Sequence, residues 1–187
     1  MRQLRASRCR QHHRQHGQFL IILVVSIMLA AGIFALGLRE YHIYQRRQTV
    51  TAAEQQISNL VQHLAVVYNG APGGYVGISD SVLATQGLVR SSAVQGGEVI
   101  TPFNTRLTVA AATLYAANDS VSITIAGIPK ADCPDFIAGV ESLAYDVTVN
   151  GTYVKNIPGN TPFTPRTTNP ACANGSAMAT STLWIHP

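Results

Sequence analysis

The sequence contains no Gly-x-Ser-x-Gly, no Gly-x-x-x-x-Gly-Lys-Ser/Thr and no His-Glu-x-x-His. The commonest signatures of serine hydrolases, phosphate-loop nucleotidases and zinc peptidases are therefore missing. Charge is scarce: Asp, Glu, Lys and Arg together make up 12% of 187 residues, and no basic patch with interleaved aromatics occurs. No nucleic-acid partner is indicated. Cysteine is nearly absent, at three residues, and neither Cys133 nor Cys172 has a second cysteine or a histidine at ligand spacing, which argues against zinc. The first seventeen residues lack acid altogether while carrying Arg2, Arg5, Arg8, Arg10 and Arg14. His12, His13 and His16 lie among those arginines, but with no carboxylate or fixed scaffold they read as part of a positive flank. No catalytic, cofactor-binding or metal site is assigned, and an enzyme is not expected.

What the chain does have is an uncharged run from Phe19 to Leu38, interrupted in polarity only by Ser26, Gly32 and Gly37. Twenty helical residues at about 1.5 Å each span the hydrocarbon core of a bilayer, roughly 30 Å thick. The arginines before this run set its orientation, because short flanks rich in Lys and Arg stay cytoplasmic. Everything after it then faces outward. Ala30-Ala31-Gly32 offers a competing site for conventional signal cleavage. Against that, helical periodicity continues past the run without a break.

That continuation is amphipathic. After Arg39, Glu40, Arg46 and Arg47, with Tyr41 and Tyr44 at interfacial depth, apolar residues recur at steps of three and four: Val50, Ala53, Ile57, Leu60, Val61, Leu64 and Val67. Asn69-Gly70 and Pro72 supply the stop. One helix is predicted over residues 18–69, with 19–38 in the membrane and the rest offering an apolar stripe to a head at 70–187. A head of this size is one compact domain. Without residues 1–17 the chain holds eight basic against nine acidic side chains. The apparent basicity therefore belongs to the leader.

In the head, Ser79 or Asp80 caps a short helix reaching about Val89. Leu107–Ala111 and Val121–Ile125 alternate apolar with small polar residues and predict two antiparallel strands. Asp132 is expected to cap a helix with Pro134 and Asp135 in its first turn and with Cys133, Phe136, Ile137 and Val140 on its buried face. Capping is preferred to a paired-carboxylate site at Asp132 and Asp135. Asn150-Gly151 between alternating strands predicts a type I′ hairpin. Residues 157–170 read as a Pro- and Thr-rich loop, and residues 182–186 as a last strand. In an oxidising compartment Cys133 and Cys172 are an even pair suited to a disulfide, the alternative being two separate buried thiols. The predicted class is α+β, a long helix packed on a small antiparallel sheet closed by that disulfide.

A basic leader ending at Gly17, an apolar helix directly after it and an amphipathic extension to about fifty residues together resemble the type IV pilins. Leader length and the C-terminal cysteine pair make the likeness strongest to the type IVb branch, which includes bundle-forming, toxin-coregulated and plasmid-encoded thin pili. The resemblance implies cleavage after Gly17 by a prepilin peptidase and methylation of Gln18. It further implies an inner-membrane stage with a periplasmic head, then assembly into an extracellular pilus. The implied partners are other pilin subunits, the peptidase, the inner-membrane assembly platform and membrane lipid. The sequence departs from the family at two places. Gln18 stands where an apolar residue usually begins the mature chain, and Ile22 stands at the fifth mature position, where the family carries glutamate. Alternatives are a minor or tip pilin, a pseudopilin that primes assembly, and an unprocessed bitopic protein with a periplasmic binding head.

Overall fold

The computed structural model describes residues 6–68, 71, 73–174 and 178–186, with side chains described from residue 21 onward. The expected stop at Asn69-Gly70 and Pro72 lies outside the described residues. The chain divides into two compact units, Met1–Gln45 and Arg46–Pro187. The helix α1, Ala6–Tyr68, runs through both.

In the first unit α1 is the only described element, and every described side chain from residue 21 to Gln45 is exposed. α1 is long and apolar enough to cross a membrane.

In the second unit α1 changes character. Val50, Ala53, Ile57, Leu60 and Leu64 are buried, as their spacing predicts, whereas Val61 is only partly buried and Val67 remains 47% exposed. The predicted stripe therefore ends one turn early. Tyr68 lies eighteen residues after Val50, five whole turns of a 3.6-residue helix, and so returns to the buried face that Val67 has left. Its ring stacks on Tyr75 with centroids 5.3 Å apart.

The sheet has seven antiparallel strands: β1 (Val94–Gln95), β2 (Glu98–Ile100), β3 (Arg106–Ala112), β4 (Ser120–Pro129), β5 (Asp146–Val149), β6 (Thr152–Asn156) and β7 (Met178–Ile185). Their order is β1-β2-β3-β4-β7-β5-β6. The predicted pair β3 and β4 sets Leu107 against Ile125, Val109 against Ile123 and Ala111 against Val121. The last strand lies inside the sheet, with Leu183 opposite Ile123 on one side and Val147 on the other. All three are fully buried and form the middle of the core.

Between Ile125 and Ile128 the pairing of β4 with β7 slips at a bulge. Gly127 sits there at φ 74°, and a Cβ on it would come within 2.5 Å of Thr105 Cγ2. Backbone conformation and close approach both demand glycine. The predicted hairpin turn has Asn150 at φ 50° and Gly151 at φ 78°, the positive pair that a type I′ turn requires.

Among the described residues three further α-helices belong to the unit: α2 (Asp80–Thr85), α3 (Cys133–Val140) and α4 (Pro165–Ala173). Ser79 caps α2 by accepting from Val82 N. α3 buries Cys133, Phe136, Ile137 and Val140 as predicted. Its expected cap differs. Asp132 occupies the N-cap position, but its carboxylate makes no capping bond and turns to Arg46. The helix α4 replaces part of the predicted 157–170 loop. Thr164 caps it and Pro165 opens it, a favourable helix start. Pro170 inside the helix disguises that signal.

Candidate functional site

From Ile21 to Leu38 α1 presents apolar side chains on every face, with Ile22 65% exposed. A surface of this size is uncovered only in a chain that lipid or another protein will cover. Ser26 Oγ donates to Ile22 O at 2.8 Å, which satisfies the one hydroxyl in the stretch within its own helix. Ile22 itself offers aliphatic surface and no ionisable group. At Gly32 and Gly37 an added Cβ would meet nothing within 4 Å, so the backbone is open to close approach there. Gly17 and Gln18 lie within α1, and the side chain of Gln18 is outside the described residues.

The second candidate region is the segment closed by the disulfide. Cys133 of α3 and Cys172 of α4 are bridged with Cα atoms 5.9 Å apart, within the normal range. The bridge encloses the β5–β6 hairpin and most of α4. Asn150 does more than turn the chain: its Nδ2 donates to Ala171 O at 2.9 Å and Asn174 O at 2.8 Å, and its Oδ1 accepts from Thr180 N. One side chain thereby fastens the end of α4 and the start of β7 to the hairpin. Lys130 Nζ donates to Ala173 O, and Lys155 Nζ donates to both Glu141 O and Glu141 Oε2. None of these ties has a local sequence signature, because each joins residues distant in the chain.

Asp132 and Asp135 do not act as a pair. Asp132 is taken by Arg46, whereas Asp135 faces Glu54 of α1. Burial first, and the Asp135 charge second, hold the Glu54 carboxyl above its ordinary value. The neighbouring Gly139 has no room for a side chain beside Glu54. This is close packing of α1 on α3, without the nucleophile or base that chemistry would need.

Between α2 and β3, Asp80, the first residue of α2, serves as a polar node. It accepts from Val109 N at 2.6 Å and pairs with Arg106, which also meets Glu98 at 2.8 Å. In the turn just before β4, Asp119 accepts from the backbone N–H of Leu114, Tyr115 and Ala116. Burial pushes this carboxyl up, but the three donors, with His186 nearby, outweigh it and bring it down to about 2. The Tyr115 hydroxyl is pushed up to about 12, chiefly by its hydrogen bond with Tyr145. These groups order a turn. No cluster of three or more potential metal ligands occurs among the described residues.

A family model described as PilS N terminal matches residues 47–185. The chain belongs to this family. Its fold is that of the type IV pilins, with the likeness on the IVb branch. One similar solved structure is TcpA, a type IV pilin from Vibrio cholerae El Tor biotype, at 22% identity and TM-score 0.55. That likeness covers 73% of this chain and 98% of TcpA. Another is the type IVb pilin from Salmonella typhi, at 14% identity and TM-score 0.54, covering 75% of this chain and 99% of that one. No curated protein matches the sequence. The pilin family and fold are structural, and the apolar N-terminal helix suits membrane anchoring.

Proposed function

We propose that this chain is the structural subunit of a type IVb-like pilus, cleaved after Gly17 by a prepilin peptidase and methylated on Gln18. On this reading residues 1–17 are a leader, 18–69 the assembly helix and 70–187 the displayed head. The subunit first resides in the inner membrane with its head in the periplasm. The assembly platform then draws it into an extracellular filament in which the 19–38 segments pack together. The observation that carries the reading is that one uninterrupted helix holds both a wholly exposed apolar stretch and the buried seam from Val50 to Leu64.

The experiment is the intact mass of the protein from membranes with and without the cognate peptidase. Loss of residues 1–17 with one added methyl group is the expected result. An unchanged mass would leave a bitopic membrane protein with a periplasmic binding head, and cleavage near Gly32 would leave a secreted domain.

A second reading, a minor or tip pilin or a priming pseudopilin, is favoured by Ile22. In a filament core of low dielectric an N-terminal amine without a carboxylate partner costs several kcal/mol. Ile22 cannot supply that partner. A subunit with no neighbour ahead of it has no such amine to neutralise.

A further inference from the structure

The groove between the second half of α1 and the facing segment 88–104 lies entirely within the second unit and encloses about 560 Å³. That is the size of a small-ligand site. Leu60, Leu88 and Ile100 give it an apolar floor. Carboxamides stand on both sides, Gln55 and Asn59 from α1 and Gln95 and Asn104 from the facing segment. Each carries two donor hydrogens and an acceptor oxygen, the pattern that answers hydroxyl groups. In the wall, Gln56 Nε2 donates to Ile100 O at 3.1 Å, while its Oε1 is buried without a donor. His63 Nδ1 donates to Leu88 O at 2.8 Å, which orients the ring and leaves Nε2 of the neutral form as an acceptor.

Among the described residues no acidic side chain lines the groove. Arg90 is its one fixed charge and is exposed, and no acidic partner pairs with it among the described residues. Among the described residues no Phe, Tyr or Trp lines the groove, so stacking of a large ring on a sugar face is not its means of recognition.

We propose that this groove binds the carboxylate-bearing, N-acylated sugar that terminates an acidic glycan. Each part of such a sugar has a matching feature. The guanidinium fork of Arg90 suits a carboxylate, which it meets with two parallel hydrogen bonds. The facing carboxamides suit hydroxyls on both edges of the ring, and the apolar floor suits the acyl methyl. The proposal goes beyond the pilin reading, because the site is complete within one subunit and does not depend on cleavage at Gly17.

The test uses the full chain in a detergent that has no sugar headgroup, with saturation-transfer NMR to sialyllactose, to lactose and to an acetylated dipeptide with a free carboxylate. Sialyllactose is expected to show transfer centred on its acidic sugar, with weaker transfer to the other two. Arg90→Ala should weaken binding at least about tenfold, as loss of a charge-assisted bond does. Ala52→Phe, which fills the groove from α1, should abolish binding while leaving Arg90 in place. Retained Trp184 fluorescence and an intact disulfide confirm that each variant is folded. The assignment is overturned by no transfer to sialyllactose at about 10 mM, a generous limit for weak carbohydrate binding. It is equally overturned by transfer to lactose or the dipeptide as strong as to sialyllactose, or by binding that survives both substitutions.

Discussion

Arg46 and Asp132, eighty-six residues apart in sequence, form an ion pair in which Nη2 and Nε of the arginine both donate to Oδ1 of the aspartate, at 2.5 and 2.9 Å. Asp132 precedes the disulfide cysteine of α3, so this contact ties α1, one turn before its buried seam, to the disulfide-closed region. The arginine side chain is half exposed and the aspartate is nearly buried. Arg46→Ala is expected to lower stability by about 1 kcal/mol, the upper range for a partly screened pair. In a double-mutant cycle with Asp132→Asn the two losses should be less than additive. Thermal unfolding in detergent, read by the single tryptophan Trp184, measures both.

The disulfide should matter more than any one ion pair. Its cysteines are 39 residues apart, and closing a loop of that size stabilises by about 2–4 kcal/mol. The double variant Cys133→Ala, Cys172→Ala is expected to lose stability in that range. Protection from amide exchange should fall first in α4 and the β5–β6 hairpin, the elements the bridge encloses.

Asp119 makes stability depend on acid. Its folded carboxyl is depressed from 3.8 to about 2. The stability it contributes is therefore complete above the unfolded value and lost as pH falls from about 4 towards 2. Glu54 and Asp146 are both raised, first by burial, and oppose it: their cost to the fold diminishes as pH falls through their raised values. Asp119→Asn should leave a smaller loss of stability between pH 4 and 2 than the wild type shows. Melting curves across that window decide it. An unchanged pH profile would mean that the three backbone donors do not depress Asp119.

Gly127→Ala combines a left-handed backbone with a clash against Thr105 Cγ2, and is expected to cost about 1–3 kcal/mol. Thr105→Ser removes the clashing methyl and keeps the hydroxyl that meets Thr101 Oγ1 at 2.8 Å. The pair of substitutions should recover part of the loss, with the backbone share remaining.

Ile22→Glu tests the place of this subunit in a filament. If the missing carboxylate confines the chain to a tip or to trace incorporation, the variant should spread along filaments, as immunogold labelling of sheared pili would show. Unchanged incorporation would mean that the glutamate is not the limiting feature.

Much of this architecture was legible in the chain. The apolar run from Phe19, the seam from Val50 to Leu64, the alternation in β3 and β4 and the Asn150-Gly151 turn each carry a local signal with one physical reading. Other features were hidden because their signals conflict or are too short. Pro170 reads as a breaker, yet Thr164 and Pro165 begin a helix that contains it. The hairpin of β1 and β2 has strands of only two and three residues, in a stretch rich in glycine and serine. Asp132 carries the residue type and position of a helix cap, and only the arrival of Arg46 in space redirects its carboxylate.

By itself the sequence determined which segments suit lipid and which suit a core, since polarity and period are properties of neighbouring residues. It also determined the turns, where glycine or asparagine alone adopts the backbone required. Tertiary structure decided the partners. It placed β7 inside the sheet between β4 and β5, joined Arg46 to Asp132, and brought the carboxamides of α1 opposite those of 88–104. Pairings of this kind depend on how the whole chain closes around its core, and no short stretch of residues carries that information.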